Sequence, residues 1–378
     1  MLLTIIIFLI LLSVLVLVHE FGHFFTARRF GVGAEEFGLG FPPRIFGWYR
    51  NMQNKMIFFF GNKEIHDAKN TVYSFNLIPI GGFVKITGEN GEDKTDPKSL
   101  VNKPIWKRSI ILSAGVLMNI IFAAIIISIG LMLGLPQTVD DSTSLPKGAM
   151  ISNHEIQILQ VLPKSPAEKA GLRPGDAIVS INNNNFSKYS EVQNFVANKA
   201  GQKLNYNIKR GTENLTKEII PEVNKDTNKG GIGIAIAETV IVKFPWLEAI
   251  IRGVELTGVL LWAIIAGLIS LLGQLFAGKN VSAAVAGPVG IAALTGQMAD
   301  LGFAYLLQFG ALLSLNLAVI NILPFPALDG GRLLFLIIEK IKGTPVKQKT
   351  EAIIHNVGFL ILIALVLLVT FKDIIKLF

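Results

Sequence analysis

Five stretches of this chain run so long without a charged residue that they leave little choice of solvent. They are Met1 to Val18, Ser109 to Val139, Leu256 to Gly278, Leu301 to Leu328 and, with one histidine inside it, Ala352 to Phe371. Each is near or beyond the roughly 20 residues needed to cross the hydrocarbon core of a bilayer, so an integral, polytopic α-helical membrane protein is expected. Composition agrees: 16% of the residues are charged, against about 25% in soluble domains. A cleaved signal peptide would show a basic leading region and a small-residue cleavage site. The first run has neither, and it leads directly into a polar trio, His19, Glu20 and His23.

Charge placement orients the spans. Arg28, Arg29 and Arg44 follow the first run and Lys98, Lys103, Lys107 and Arg108 precede the second, whereas Lys147 alone lies just after it. Positive residues stay in the cytoplasm, so residues 28 to 108 belong there. Arg332, Lys340, Lys342, Lys347 and Lys349 mark a second cytoplasmic loop, which requires an even number of crossings between the two. Three apolar runs lie between them. Leu256 to Gly278 is the one expected not to cross: Trp246, Arg252, Glu255 and Trp262 make its start amphipathic, and Gly258, Gly267 and Gly273 loosen it. A fifth crossing is the rival reading. The net charge of +8 gathers beside apolar runs, which suits an anionic bilayer surface rather than nucleic acid.

Two segments are not membrane-like. Residues from about Ile151 to Ile236 carry short strand patterns ("EIQILQVLP", "DAIVSINN", "KLNYNIKR", "TKEIIPEV") and helical ones ("SPAEKAGL", "SEVQNFVANKA"), a compact α+β module on the outer side. Before the second crossing, "SFNLIPIGGFVKITGE" alternates around Gly81 and Gly82 as a looped strand pair would. Such a loop can dip into the membrane only where protein or a wet cavity covers its edges.

The chemistry concentrates in two places. On a helix, His19 and His23 stand one turn apart on one face, so both imidazoles reach a single ion and Glu20 reaches the water beside it, the pattern H-E-x-x-H. Ionisable residues inside a membrane are costly and mark function. With no cysteine in the chain, a metal must use imidazole or carboxylate, and zinc suits that set, with three protein ligands and one open position. A helix starting at Met1 carries His19 about 27 Å along, near the cytoplasmic end of the core. "NILPFPALDGGRLLF" brings a carboxylate to that depth: Asp329 ends the run from Leu301, after Pro324 and Pro326 interrupt the helix and before Gly330 and Gly331 permit a close approach. Asn321 is placed to hydrogen-bond substrate backbone. His66, Asp67, His154, Glu155 and His355 are isolated or in polar loops, where solvent exposure or local hydrogen bonding is expected, and Asn119 is expected to tie helices together.

These residues resemble the site-2 protease family of intramembrane zinc metalloproteases, in its bacterial RseP-type branch. The likeness covers nearly the whole chain: "HEFGH", "FGLGFPP", "IPIGGFVKITGE" like that branch's re-entrant β loop, "SAGVLMN", a PDZ-like "SPAEKAGLRPGDAIVSIN", "AGPVGIA" and "NILPFPALDGG". It implies His19, His23 and Asp329 as zinc ligands, Glu20 as catalytic base, and Asn321 as a support for the substrate strand. The expected architecture has about four transmembrane helices, a cytoplasmic-side re-entrant β loop and one extracytoplasmic α+β PDZ-like domain. Its boundaries are 1–30 for the first crossing, 31–108 for the cytoplasmic region with the β loop at about 72–90, and 109–135 for the second crossing. The PDZ-like domain follows at 150–240, amphipathic or re-entrant helices at 244–298, and the last crossings at 301–331 and 352–372. Many relatives in that branch carry two tandem PDZ modules, whereas this outer segment has room for one. The 256–278 stretch is also more apolar than the surface helices that follow the PDZ modules in those relatives.

The expected reaction is hydrolysis of a peptide bond in or beside a substrate's transmembrane helix, with the strand formed by Ile80, Gly81, Gly82, Phe83 and Val84 pairing with unwound substrate. The PDZ-like module either captures a new C-terminus or filters untrimmed substrates. The resemblance implies a bacterial plasma membrane, and membrane-anchored anti-sigma factors or leftover signal peptides as substrates. A metal-ion transporter would need polar residues continuing along the helices, and a noncatalytic PDZ scaffold would have no need of Glu20.

Overall fold

The computed structural model describes residues 2–89, 91, 95–139, 148–223, 229–279 and 286–377. Contacts divide the chain into two units, one of residues 1–126, 254–296 and 310–378, the other of residues 127–253 and 297–309.

The first unit begins with α1, Leu2–Arg29. It stops because Gly31 turns to φ +68, from where Val32 N–H reaches back to Ala27 O at 2.8 Å. There follow β1 (Ala34–Arg50), β2 (Met56–Phe60) and β3 (Val72–Ile86), a sheet in the order β2-β1-β3. The two long strands bend, so that Glu36 to Leu39 of β1 register with Val72 to Phe75 and also with Gly82 to Lys85 of β3. A strand has two edges. Residues 82–85 therefore occupy an outer edge of the sheet, with no further strand beyond them among the described residues. Within the sheet Glu36 is nearly buried, which by itself raises a carboxyl's pKa. Arg44, at 2.9 and 2.5 Å, and Ser74, at 2.6 Å, more than offset this and hold Glu36 below the usual carboxylate range.

Helix α2, Ile105–Leu133, leads into the second unit. There β4 (Leu135–Val139), β5 (Met150–Val161), α3 (Pro166–Lys169), β6 (Ala177–Ile181), β7 (Asn184–Asn185), α4 (Tyr189–Ala197), β8 (Leu204–Arg210) and β9 (Glu213–Ile219) are followed by the short pair β10 (Glu222–Val223) and β11 (Gly230–Gly231) and by β12 (Ile234–Lys243). The main sheet runs β4-β12-β5-β6-β8-β9, all antiparallel, with β7 beside β6. Ile156, Ile158, Ile181, Tyr206 and Ile208 alternate inward to fill one core with Val192 and Val196 of α4. Ser165 caps α3, its Oγ accepting Glu168 N–H at 3.2 Å, with Pro166 at the first helical position. β4, directly after α2, joins this sheet against β12, although sequence reading gave that stretch to the crossing and its linker.

The remaining helices are α5 (Trp246–Phe276), α6 (Pro288–Leu301), α7 (Phe303–Ile322), α8 (Asp329–Lys342) and α9 (Gln348–Leu377). Among the described residues five helices, α1, α2, α5, α7 and α9, are long and apolar enough to cross a membrane. α5 is continuous through Gly258, Gly267 and Gly273, which were expected to loosen it. Each glycine costs a helix about 1 kcal/mol against alanine, but a chain in lipid has no other partner for its backbone. With these apolar helices beside a strand-rich module, the chain is a multi-pass membrane protein.

Candidate metal centre

The site begins where α1 and α2 come closest. A Cβ on Gly22 would run into the backbone oxygen of Ala114, and one on Gly115 would run into both imidazoles, 2.8 Å from His19 Nε2 and nearer still to His23 Nε2. Only glycine lets the helices pack with two rings between them. His19 and His23 are both 5% exposed, too dry to stand there without partners.

Each ring is held from behind. His23 Nδ1 lies 2.8 Å from Ile111 O, so that nitrogen carries the proton and donates it to the carbonyl. His19 Nδ1 lies 3.2 Å from the side-chain amide of Asn119, whose Oδ1 is buried without a partner in the recorded orientation. The two amide orientations are isosteric, and the one that turns Oδ1 to the ring gives His19 Nδ1–H its acceptor. In both rings Nε2 is then left with its lone pair facing inward. Ser314 of α7 fixes Asn119 in turn, its Oγ donating to the Asn119 carbonyl at 2.8 Å.

The third side chain comes from 306 residues further on. Asp329 opens α8, and its Oδ2 stands 2.9 Å from His19 Nε2 and 3.2 Å from His23 Nε2, while the two Nε2 atoms are 3.2 Å apart. Among the described residues these three form the group able to hold a metal ion. Their chemistry fits zinc. With ligand bonds of about 2.0–2.1 Å, tetrahedral donors stand roughly 3.3 Å apart, close to the three separations seen here. Asn321 joins them, Nδ2 lying 3.4 Å from His19 Nε2.

Glu20 projects from the neighbouring face of α1, where Val84 N–H of β3 donates to its Oε2 at 3.0 Å. The strand is fastened to α1 further along as well: the Ser13 hydroxyl donates to Pro79 O at 3.2 Å and accepts Gly81 N–H at 3.3 Å, and Gly81, at φ +68, leans on Val16. Gly82 is also buried against α1, near Leu17, while Phe83 stacks on Phe41 with ring centres 6.3 Å apart. Leu77, Ile78 and Ile80 are exposed.

The other candidate ligands lie elsewhere. His66 meets Glu64 at 3.3 Å, Asp67 accepts from Tyr49 at 2.7 Å, His154 faces Glu238 at 3.3 Å, and Glu155 accepts from Lys209 at 2.8 Å. Sequence reasoning passed over Gly115 and treated Asn119 only as a tie between helices. Their spacing, a small residue and an amide four apart on one face of α2, is the pattern by which they were legible.

The model of peptidase family M50 matches residues 7–365 of this chain. The chain belongs to that family. Among its relatives, a protein of Clostridium perfringens named as a zinc metalloprotease is 34% identical, covering 97% of each chain. One so named from Brucella suis is 31% identical over 98% of this chain and 94% of its own. The regulator of sigma-W protease RasP of Bacillus subtilis is 30% identical, covering 99% of each. A PDZ domain of an SdrC-like protein from Listeria monocytogenes overlays 25% of this M50 peptidase at 24% identity and a TM-score of 0.21.

Proposed function

We propose that this intramembrane zinc metalloendopeptidase works by pairing an unwound segment of its membrane-protein substrate with the outer edge of β3, with His19, His23 and Asp329 as zinc ligands and Glu20 as catalytic base. The observation that carries the reading is the hydrogen bond from Val84 to Glu20: the carboxylate beside the histidine pair and the strand edge are in direct contact. Zinc, when bound, supplies Lewis-acid polarisation of a carbonyl and a nucleophile at neutral pH. Glu20 Oε2 is engaged by the strand, leaving Oε1 to take the proton of the attacking water and pass it to the leaving amine. The Asn321 amide donates to a substrate carbonyl beside the metal. A helical substrate hides its carbonyls in its own hydrogen bonds, and an edge strand offers replacements without exposing backbone to lipid.

Four crossings, α1, α2, α7 and α9, accompany this reading. Arg108 pairs with Glu339 at 2.9 Å, and Arg332 pairs with Glu89. Glu89, before α2, and Arg108, in its first turn, thus meet α8, after α7, which asks for an even number of crossings between them. At the other end, Gly287 and Gly290 at the start of α6 both donate N–H to Asp373 Oδ2 at 2.8 Å, and Gly296 of α6 leans on Thr4. Helix α6 thus lies by the first turn of α1 and the end of α9, which supports reading α5 and α6 as entering and leaving on one side, as the 244–298 boundary supposes. The positive-inside pattern supports basic loops and β1–β3 on the cytoplasmic side, a metal near the cytoplasmic face of a bacterial inner membrane, and the β4–β12 module outside as a PDZ-like domain that binds a new substrate C-terminus or filters out untrimmed substrates. The sigma-W name of the Bacillus relative supports a membrane protein that controls a sigma factor as substrate. Leftover signal peptide is the other class the resemblance implies.

The strand reading is tested by Ile80→Pro, which removes a backbone donor from the exposed part of β3 and leaves Val84 on Glu20. One hydrogen bond of about 1 kcal/mol predicts a roughly fivefold slower cleavage of a model transmembrane peptide at unchanged zinc content. Cleavage at the wild-type rate would remove the strand from the mechanism.

A further inference from the structure

Asp329 must arrive beside the histidines at the end of a turn that proline interrupts; within it Phe325 N–H reaches Leu323 O at 2.7 Å and Leu328 N–H reaches Phe325 O at 3.2 Å, and the Ala327 N–H between them finds its partner outside α7 and α8. Ala327, two residues before the carboxylate, sits at φ +77, a left-handed conformation that a side chain other than glycine's rarely adopts. Its N–H points away from both helices and is taken by His355 Nδ1 of α9 at 2.9 Å. One turn further along α9, Gly358 lets the backbone approach so closely that an added Cβ would lie 2.7 Å from Pro326 O. The imidazole is wedged on its other side by Phe335 of α8, ring centres 5.4 Å apart. Since Nδ1 accepts, the ring proton is on Nε2, which is buried without a hydrogen-bond partner among the described residues, Glu351 Oε1 standing 3.9 Å away. The half-buried imidazole thus leaves its buried Nε2 unsatisfied and makes its one side-chain hydrogen bond through Nδ1, to the turn before Asp329.

We propose that His355 is a positioning residue of the metal centre: by accepting the Ala327 N–H it locks the left-handed turn that aims Asp329 at the histidine pair. The fourth membrane helix is then a working part of the site and not only an anchor. The inference rests on the zinc-ligand reading above, and it places a histidine in the role that outer partners play for metal ligands elsewhere, one shell removed and through the backbone.

The test is zinc affinity, measured by chelator competition on the full-length protein, beside kcat and KM for a model transmembrane peptide. His355→Phe keeps a flat ring but loses the acceptor. It is expected to weaken zinc binding by about 10–100-fold and to lower kcat while KM stays within about twofold. His355→Asn, whose Oδ1 accepts in place of Nδ1, is expected to recover zinc affinity to within about threefold of wild type. Ala327→Gly, which takes positive φ without strain, should restore part of the loss in the His355→Phe background. Wild-type zinc affinity in His355→Phe, or an equal loss in His355→Asn, overturns the positioning role and leaves the ligand assignment standing. If the phenylalanine variant does not fold, His355→Asn decides alone, retention of zinc supporting the role and its loss overturning it. A wild-type chain that binds no zinc would overturn the ligand assignment itself, and this inference with it.

Discussion

Glu20→Gln is expected to keep its zinc and lose cleavage by about 10²–10⁴-fold, the range over which a positioned general base acts. The amide has the same shape, and its oxygen still accepts the Val84 N–H that Oε2 accepts at 3.0 Å. Strand and helix therefore stay joined, the two imidazoles and Asp329 are untouched, and the one thing removed is a group that can take a proton. Bound zinc and cleavage of a transmembrane peptide, measured on the same preparation, separate the rival classes. A metal transporter or a noncatalytic scaffold gains nothing from a carboxylate here, so equal cleavage by wild type and variant, or none by either, would end the protease mechanism.

Asp329→Ala is expected to weaken zinc by more than the roughly 100-fold that loss of an outer partner costs, and to bring cleavage to background. In the proposed centre the carboxylate, 2.9 and 3.2 Å from the imidazoles, would supply one of three ligands and the only charged one. The competing role for an aspartate at this point is to favour the N-terminus of α8, where it stands at the first position behind Leu328. That role is worth about 1 kcal/mol of helix stability and nothing in zinc affinity. Chelator competition on the variant distinguishes the two, and zinc held as tightly as in wild type would leave Asp329 a helix-end residue.

Much of the centre is legible in the sequence. His19 and His23 announce themselves because a helix turns once in about four residues, and Asp329 because a carboxylate ends an uncharged run between prolines and glycines. Helix periodicity is local, and so is the reasoning. The contact between Glu20 and Val84 could not be read the same way. It depends on β1 bending so that residues 36–39 meet both halves of β3, a register set by tertiary packing with no mark in the spacing of apolar residues. Asn119 shows the limit differently: it does tie helices, through Ser314, but its side chain serves His19, and a single polar residue in a span does not say which neighbour it faces. His355 was read as solvated or locally bonded, and its bond reaches back across 28 residues to Ala327. In the second unit the strand patterns lie where β5, β6 and β8 form, whereas β4 was missed because a strand of five residues at the end of a long apolar helix carries no alternation distinct from the helix itself.

X-ray absorption at the zinc edge, on the full-length protein in detergent, tests the central claim most directly. Two imidazoles and one carboxylate predict a first shell of nitrogen and oxygen at about 2.0–2.1 Å, with outer-shell scattering from two rings, falling to one ring in His23→Ala. Scattering from two rings that is unchanged in His23→Ala, or a shell without imidazole, would contradict it.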